Sequence, residues 1–149
     1  MLRKQISLAL FLFMALASLS CGALSTMQQI QVATFEEMRD VERYQIKIAE
    51  KHFLNGNFKV ALAEYEKFLT LYEKSPGAPY AQLMWSHTMM KLKKPKSALR
   101  DGFQSVIDYW PKSHEATLAA YCMGDSFRTM GEVKSAQKAF RFLIREYPD

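Results

Sequence analysis

The chain is short of most residues that would commit it to a cross-linked or sheet-rich architecture. Of its 149 residues only two are cysteine, Cys21 and Cys122, too few for a disulfide framework. Its 6 glycines and 5 prolines cluster between apolar runs, where they punctuate elements. Alternating β-branched segments, which a half-buried sheet needs, are scarce. No H-E-x-x-H, C-x-x-C, G-x-x-x-x-G-K-[ST] or G-x-S-x-G occurs, and His52, His87 and His114 are scattered. An enzyme, a metal or a cofactor is therefore not expected. Charge of one sign is also lacking. The net charge is +5, but Arg3 and Lys4 belong to the N-terminal segment, and 18 basic residues face 15 acidic ones after it. That balance is too mild to argue for nucleic acid.

What is present is apolar. A hydrophobic content of 49% with 13% aromatics excludes a disordered chain and suffices for a core. With sheet signals scarce, the expected class is all-α.

Residues 1–20 have the three parts of a secretory signal: Arg3 and Lys4, an apolar run from Ile6 to Leu16, then Ala17, Ser18 and Ser20. The run falls short of the ~20 residues that span a bilayer. Cys21 follows directly, and Ala17-Ser18-Leu19-Ser20-Cys21 resembles the lipobox of bacterial lipoproteins, although Ser18 stands where those boxes usually carry leucine. That resemblance implies a covalent lipid on Cys21, with residues 21–40 as tether and lead-in. Each buried methylene of such a lipid adds ~0.8 kcal/mol. Ordinary cleavage near Ser20 or Ala23 is the alternative. Cys122, among Ala119, Ala120 and Met123, is expected to be a buried inert thiol; a Cys21–Cys122 disulfide is the other reading.

From residue 41 onward the sequence repeats itself. Aligned on Ala61, Ala98 and Ala136, spaced 37 and 38 residues apart, other columns coincide. Lys59, Lys96 and Lys134 stand two residues before, and Tyr72, Tyr109 and Tyr147 eleven after. Ala49, Ser86 and Gly124 stand twelve before; Ile48, Trp85 and Met123 thirteen before; His52, Met89 and Phe127 nine before; Leu69, Val106 and Ile144 eight after. Each unit reads as a helical hairpin, over roughly 42–76, 79–112 and 117–149. Asn55-Gly56-Asn57 and Gly131 supply turns suited to positive φ, Pro79 opens a helix, and Ser113 is an N-cap.

The order small, aromatic, glycine, alanine, aromatic, proline resembles the tetratricopeptide repeat. The match is weakest in the second unit, where Lys93 replaces the turn glycine and Gly102 the aromatic. The spacing also exceeds the family's ~34 residues. Long links, the endings Trp110-Pro111 and Tyr147-Pro148 and a lipoprotein-type start are together similar to the bacterial outer-membrane assembly lipoproteins, the BamD-like group. Related pieces occur in the Tol–Pal coordinator and in pilus-assembly lipoproteins. The resemblance implies an α-solenoid of about three hairpins at the outer membrane, facing the periplasm, that holds envelope proteins of an assembly machine. A Tol–Pal or pilus-assembly coordinator, or an accessory domain of a longer envelope enzyme, is the alternative function, and a soluble periplasmic protein the alternative placement.

The family binds partner segments in a groove lined by the first helix of each hairpin. Carried over by position, the groove residues are Arg43, Ile46, Glu50 and Phe53, then Tyr80, Leu83, His87 and Met90, then Leu118, Tyr121, Asp125 and Arg128. Rings would give contact area, and Arg43 or Arg128 could clamp a carboxylate. The competing reading is that Tyr80, Leu83, Leu118 and Tyr121 pack between neighbouring helices. Likewise Lys91, Lys93, Lys94, Lys96 and Arg100 form either a solvated turn or a contact for anionic lipid or an acidic partner. The sequence stops where a further unit would begin, so Phe140, Leu143 and Tyr147 are expected to stay partly exposed.

Overall fold

A computed structural model describes residues 29–148. The expected signal segment, Cys21 and most of the expected tether lie outside the described residues. Those described are all-helical. The elements are α1 (Val32–Glu37), α2 (Asp40–Leu54), α3 (Phe58–Leu71), α4 (Ala78–Lys91), α5, α6 (His114–Thr129) and α7 (Val133–Glu146). Helix α5 is continuous through Pro95–Ser97, Ala98–Phe103 and Gln104–Tyr109. Helices α2/α3, α4/α5 and α6/α7 pack as three hairpins, joined in series through α3 on α4 and α5 on α6, the arrangement of a helical-repeat solenoid.

All three hairpins turn by one device. Gly56 N–H donates to the Phe53 carbonyl (3.0 Å) and Asn57 N–H to that of His52 (2.9 Å). Lys93 and Lys94 repeat this pair of bonds on Met90 and Met89, as do Gly131 and Glu132 on Arg128 and Phe127. This double bond pattern satisfies the last carbonyls of a helix and requires positive φ at the residue after it. Gly56 has φ 74° and Gly131 φ 77°; Lys93 takes the same conformation at 59°. The lysine therefore occupies the glycine position with the turn geometry unchanged.

The alignment columns prove to be packing contacts. A Cβ on Gly124 would meet the Phe140 ring at 2.6 Å, so the small residue of α6 is the seat of the aromatic of α7. In the first hairpin Ala49 and Tyr65 hold the same two columns, both fully buried. The second hairpin departs: Gly102 faces Ser86, where a Cβ would lie 2.3 Å from the serine Oγ. The cause is local. Residues 98–103 form a π-helical turn, with Gln104 N–H bonded to the Leu99 carbonyl five residues back. One extra residue is thereby absorbed, and Phe103 is buried one position later than the aromatics of its sister units.

That turn corrects the sequence alignment. Beyond residue 103 the second unit runs one residue late. Helices α3, α5 and α7 end on Tyr72, Trp110 and Tyr147, with φ −135°, −131° and −133°. Their N–H groups bond to Phe68, Val106 and Leu143 respectively. Tyr109 is not in the tyrosine column; it is 75% exposed. By the same shift Ile107, rather than Val106, matches Leu69 and Ile144.

Two cores result. The first joins Ile46, Ala49, Ala61, Tyr65, Phe68, Tyr80 and Met84; the second joins Leu83, Ala98, Phe103, Val106, Ala116 and Ala119. Helix α4 feeds both, which welds the hairpins together. The lead-in belongs to the first: Met38 is buried there and Phe35 packs against it. Helix α1 does not run into α2, because the backbone extends at Met38 (φ −73°, ψ 147°). The Glu42 carboxylate then closes the first turn of α2, accepting from the Arg39 N–H (2.8 Å) and guanidinium (2.7 and 2.9 Å). Burial alone would raise the Glu42 carboxyl pKa, but Arg39 outweighs it and the pKa is lowered. Of the six hairpin helices α7 is the least covered. It buries only Ala136, and Phe140, Leu143 and Tyr147 keep part of their surface, as expected, with Ile144 71% exposed.

Candidate partner-binding faces

The twelve groove candidates fall on α2, α4 and α6, and the structure divides them. Ile46, Phe53, Tyr80 and Leu83 are core residues. No partner reaches them without displacing the core, so for Tyr80 and Leu83 packing is the role observed. Glu50 and Tyr80 form a bridge between α2 and α4, the phenol donating to Glu50 Oε1 at 2.5 Å. Burial raises the Glu50 carboxyl pKa, against the pull of that hydrogen bond and of Lys47. Burial first, and then the Glu50 charge, push the phenols of Tyr80 and Tyr65 far above their ordinary pKa. The Tyr65 hydroxyl is buried without a hydrogen-bond partner among the described residues.

His87 joins α4 to α6. Its ring meets Phe103 edge-on (5.2 Å between centroids), and its Nε2 lies 3.8 Å from the Cys122 Sγ. Burial, with a smaller effect of Lys91, lowers its pKa to about 4. Burial and then Asp125 raise the Cys122 thiol to about 12. A neutral imidazole beside a protonated thiol is a packing contact, with neither group charged at neutral pH. Arg43 bonds Asp40 Oδ1 at the start of its own helix (2.5 Å) and lies over the Phe35 ring of α1.

The accessible part of this inner face is its α6 end. Tyr121 is 40% exposed and leans on Phe140, with ring centroids 6.1 Å apart. Arg128 bonds Asp125 Oδ1 through Nε (3.0 Å) and Nη2 (2.6 Å), while Leu118 and Met90 are half-buried. Of the basic turn, Lys91, Lys93, Lys94 and Lys96 point into solvent and Arg100 pairs with Asp101.

A second feature lies on the opposite side of α6. A cleft of about 460 Å³ opens between α5, α6 and α7, lined by Gln104, Ile107, Met123, Phe127, Ala139 and Phe142, with Lys138 also in its wall. The groove columns did not point to it. Its signal in the sequence is the column Ile48, Trp85, Met123, where a large ring gives way to a flexible thioether.

Among the described residues no group of three or more His, Cys, Asp or Glu is placed to hold a metal ion. Nor is any described helix long and apolar enough to cross a membrane. Compared with models of known protein families and with curated proteins, the chain matches none.

Proposed function

We propose that the protein is a non-catalytic scaffold of the bacterial envelope, built from tetratricopeptide-like hairpins, that holds a partner protein on the α6 end of its inner face. The observation that carries the reading is the exposure of Tyr121 about one helical turn from the Asp125–Arg128 ion pair on α6, with half-buried Met90 on the neighbouring first helix. An aromatic ring and a guanidinium at the edge of a rigid stack suit an extended segment with apolar and carboxylate groups. The tetratricopeptide part of the reading is supported by the thrice-repeated turn and by the small-on-large contact of Gly124 with Phe140. The envelope part rests on the signal-like first twenty residues and on Cys21 in its lipobox-like setting. Outer-membrane protein assembly is the machine that the resemblance favours.

Two measurements test this. Photo-cross-linkers at Tyr121 and Arg128, with partner identification, should capture outer-membrane assembly proteins; capture of peptidoglycan enzymes alone would reject that assignment. Intact mass after expression in a bacterium should show lipid on Cys21. A Cys21→Ser form that stays membrane-bound would remove the anchor from the proposal.

A further inference from the structure

We propose that the cleft between α5 and α7 docks an indole side chain carried on an acidic segment of a partner protein. The proposal is independent of the inner face, since the cleft lies on the other side of α6.

The ring is argued from the chain's own repeat. In the preceding unit Trp85 occupies the column of Met123, and its indole N–H donates to Glu66 Oε1 on α3 at 3.0 Å. Allowing for the extra residue of the π turn, the counterpart of Glu66 on α5 is Gln104, and that of Leu69 is Ile107. Both line the cleft. The third unit thus keeps the hydrogen-bonding side chain and the apolar wall of an indole seat but carries no ring to occupy it. Gln104 uses its amide N–H on Asp108 (2.8 Å), so its carbonyl oxygen is the group left to accept from a ring N–H. Phe127 and Phe142 supply aromatic walls, and Met123 can adapt to a flat ligand. A tryptophan side chain is a common anchor of this kind.

The acidic flanks are argued from charge complementarity. Lys134, Lys138 and Arg141 follow one another at helical spacing on the exposed side of α7, and none makes an ion pair among the described residues. Lys138 also lines the cleft. Carboxylates on either side of a docked ring would face this row, steering approach and adding contacts at the rim.

The test uses the full chain and a capped pentapeptide with a central tryptophan between two acidic residues on each side, followed by calorimetry and amide chemical-shift mapping. Saturable binding is expected, with shifts centred on Gln104, Met123 and Phe142. Replacing the peptide tryptophan by alanine should weaken binding at least about tenfold. Met123→Trp, which restores the repeat's own ring, should do the same with helicity retained. Exposed Lys138→Glu leaves the fold untouched and should weaken binding and reduce its salt dependence. The proposal is overturned if no saturable binding occurs up to about 1 mM peptide, or if Lys138→Glu and the tryptophan-to-alanine peptide bind as before. It is also overturned if phosphatidylglycerol vesicles bind through the same lysines while the peptide does not, which would make α7 a lipid-facing helix.

Discussion

Gly102 and Ser86 stand so close that a methyl group on the glycine would come within 2.3 Å of the serine Oγ and 3.2 Å of its Cα. The hydroxyl cannot simply rotate away at no cost, because it donates to the Gln82 carbonyl at 2.7 Å. Gly102→Ala should destabilise the fold by about 1–3 kcal/mol, the usual cost of overpacking. Adding Ser86→Gly should recover part of that loss, since two of the three close contacts vanish. Denaturant unfolding of the single and double variants would measure the coupling; simple additivity would mean the contact is not what fixes the α4–α5 distance.

Gly124→Ala makes a contact of similar closeness, 2.6–2.8 Å, but against the Phe140 ring rather than a short side chain whose Cβ cannot move without its backbone. Phe140 is half-buried on the last helix, where its ring has room to swing outward. The expected cost is therefore smaller than at Gly102, about 1 kcal/mol. Fluorescence of Tyr121, which touches that ring, should change with it. Equal losses at the two glycines would show α7 to be held more rigidly than its exposure implies.

Lys93 carries a left-handed backbone (φ 59°) at the place where its sister units have glycine. Left-handed conformations cost an ordinary residue roughly 1 kcal/mol. Lys93→Gly should accordingly raise the unfolding free energy by up to about 1 kcal/mol. Gly56→Ala and Gly131→Ala should lower it by a similar amount, since nothing within 4 Å would resist the added carbon. Thermal unfolding of the three variants checks the sign in each case.

Much of the fold was legible because the hairpins reuse the same contacts. Ala61, Ala98 and Ala136 are all buried at the same station, and the turn residues mark the helix ends. What misled was backbone register. A π turn changes the spacing without changing composition, so Tyr109 lined up with Tyr72 and Tyr147 while Trp110 does the structural work of that column. The groove was legible only as a set of helix faces. Whether a residue such as Leu83 on that face meets solvent or a neighbouring helix depends on how closely successive hairpins approach, and no single unit encodes that distance. The cleft beside α7 was hidden for the same reason, because it exists only between units.

His87 makes stability depend on pH. Its folded pKa, about 4, lies below the ordinary value of 6.5, since burial and Lys91 disfavour the imidazolium. The unfolded chain thus binds the proton more readily, and the neutral ring's contribution is present above pH 6.5 and lost as pH falls towards 4. Over the whole interval the loss is on the order of 2–3 kcal/mol. His87→Phe, which keeps a ring against Phe103, should flatten the dependence between pH 7 and 5, before most carboxylates titrate. An unchanged slope in that window would place the responsible proton elsewhere.

The π turn offers the sharpest test of the repeat itself. Deleting Arg100, an exposed residue paired with Asp101, shortens the Ala98–Phe103 interval to the four residues seen between Ala61 and Tyr65. Phe103 would then face Ser86 as Tyr65 shares its columns with Ala49, and serine is scarcely larger than alanine. The loss of a surface pair matters little. The shortened chain should therefore unfold cooperatively, within about 1–2 kcal/mol of the parent. The matched deletion of Gln137 in α7 has no bulge to absorb it. It would turn Phe140 about 100° off the Gly124 seat and should strip α7 from α6, seen as lost helicity and faster proteolysis after residue 131. If both deletions unfold the chain alike, the bulge is not an inserted residue but a required part of the second hairpin.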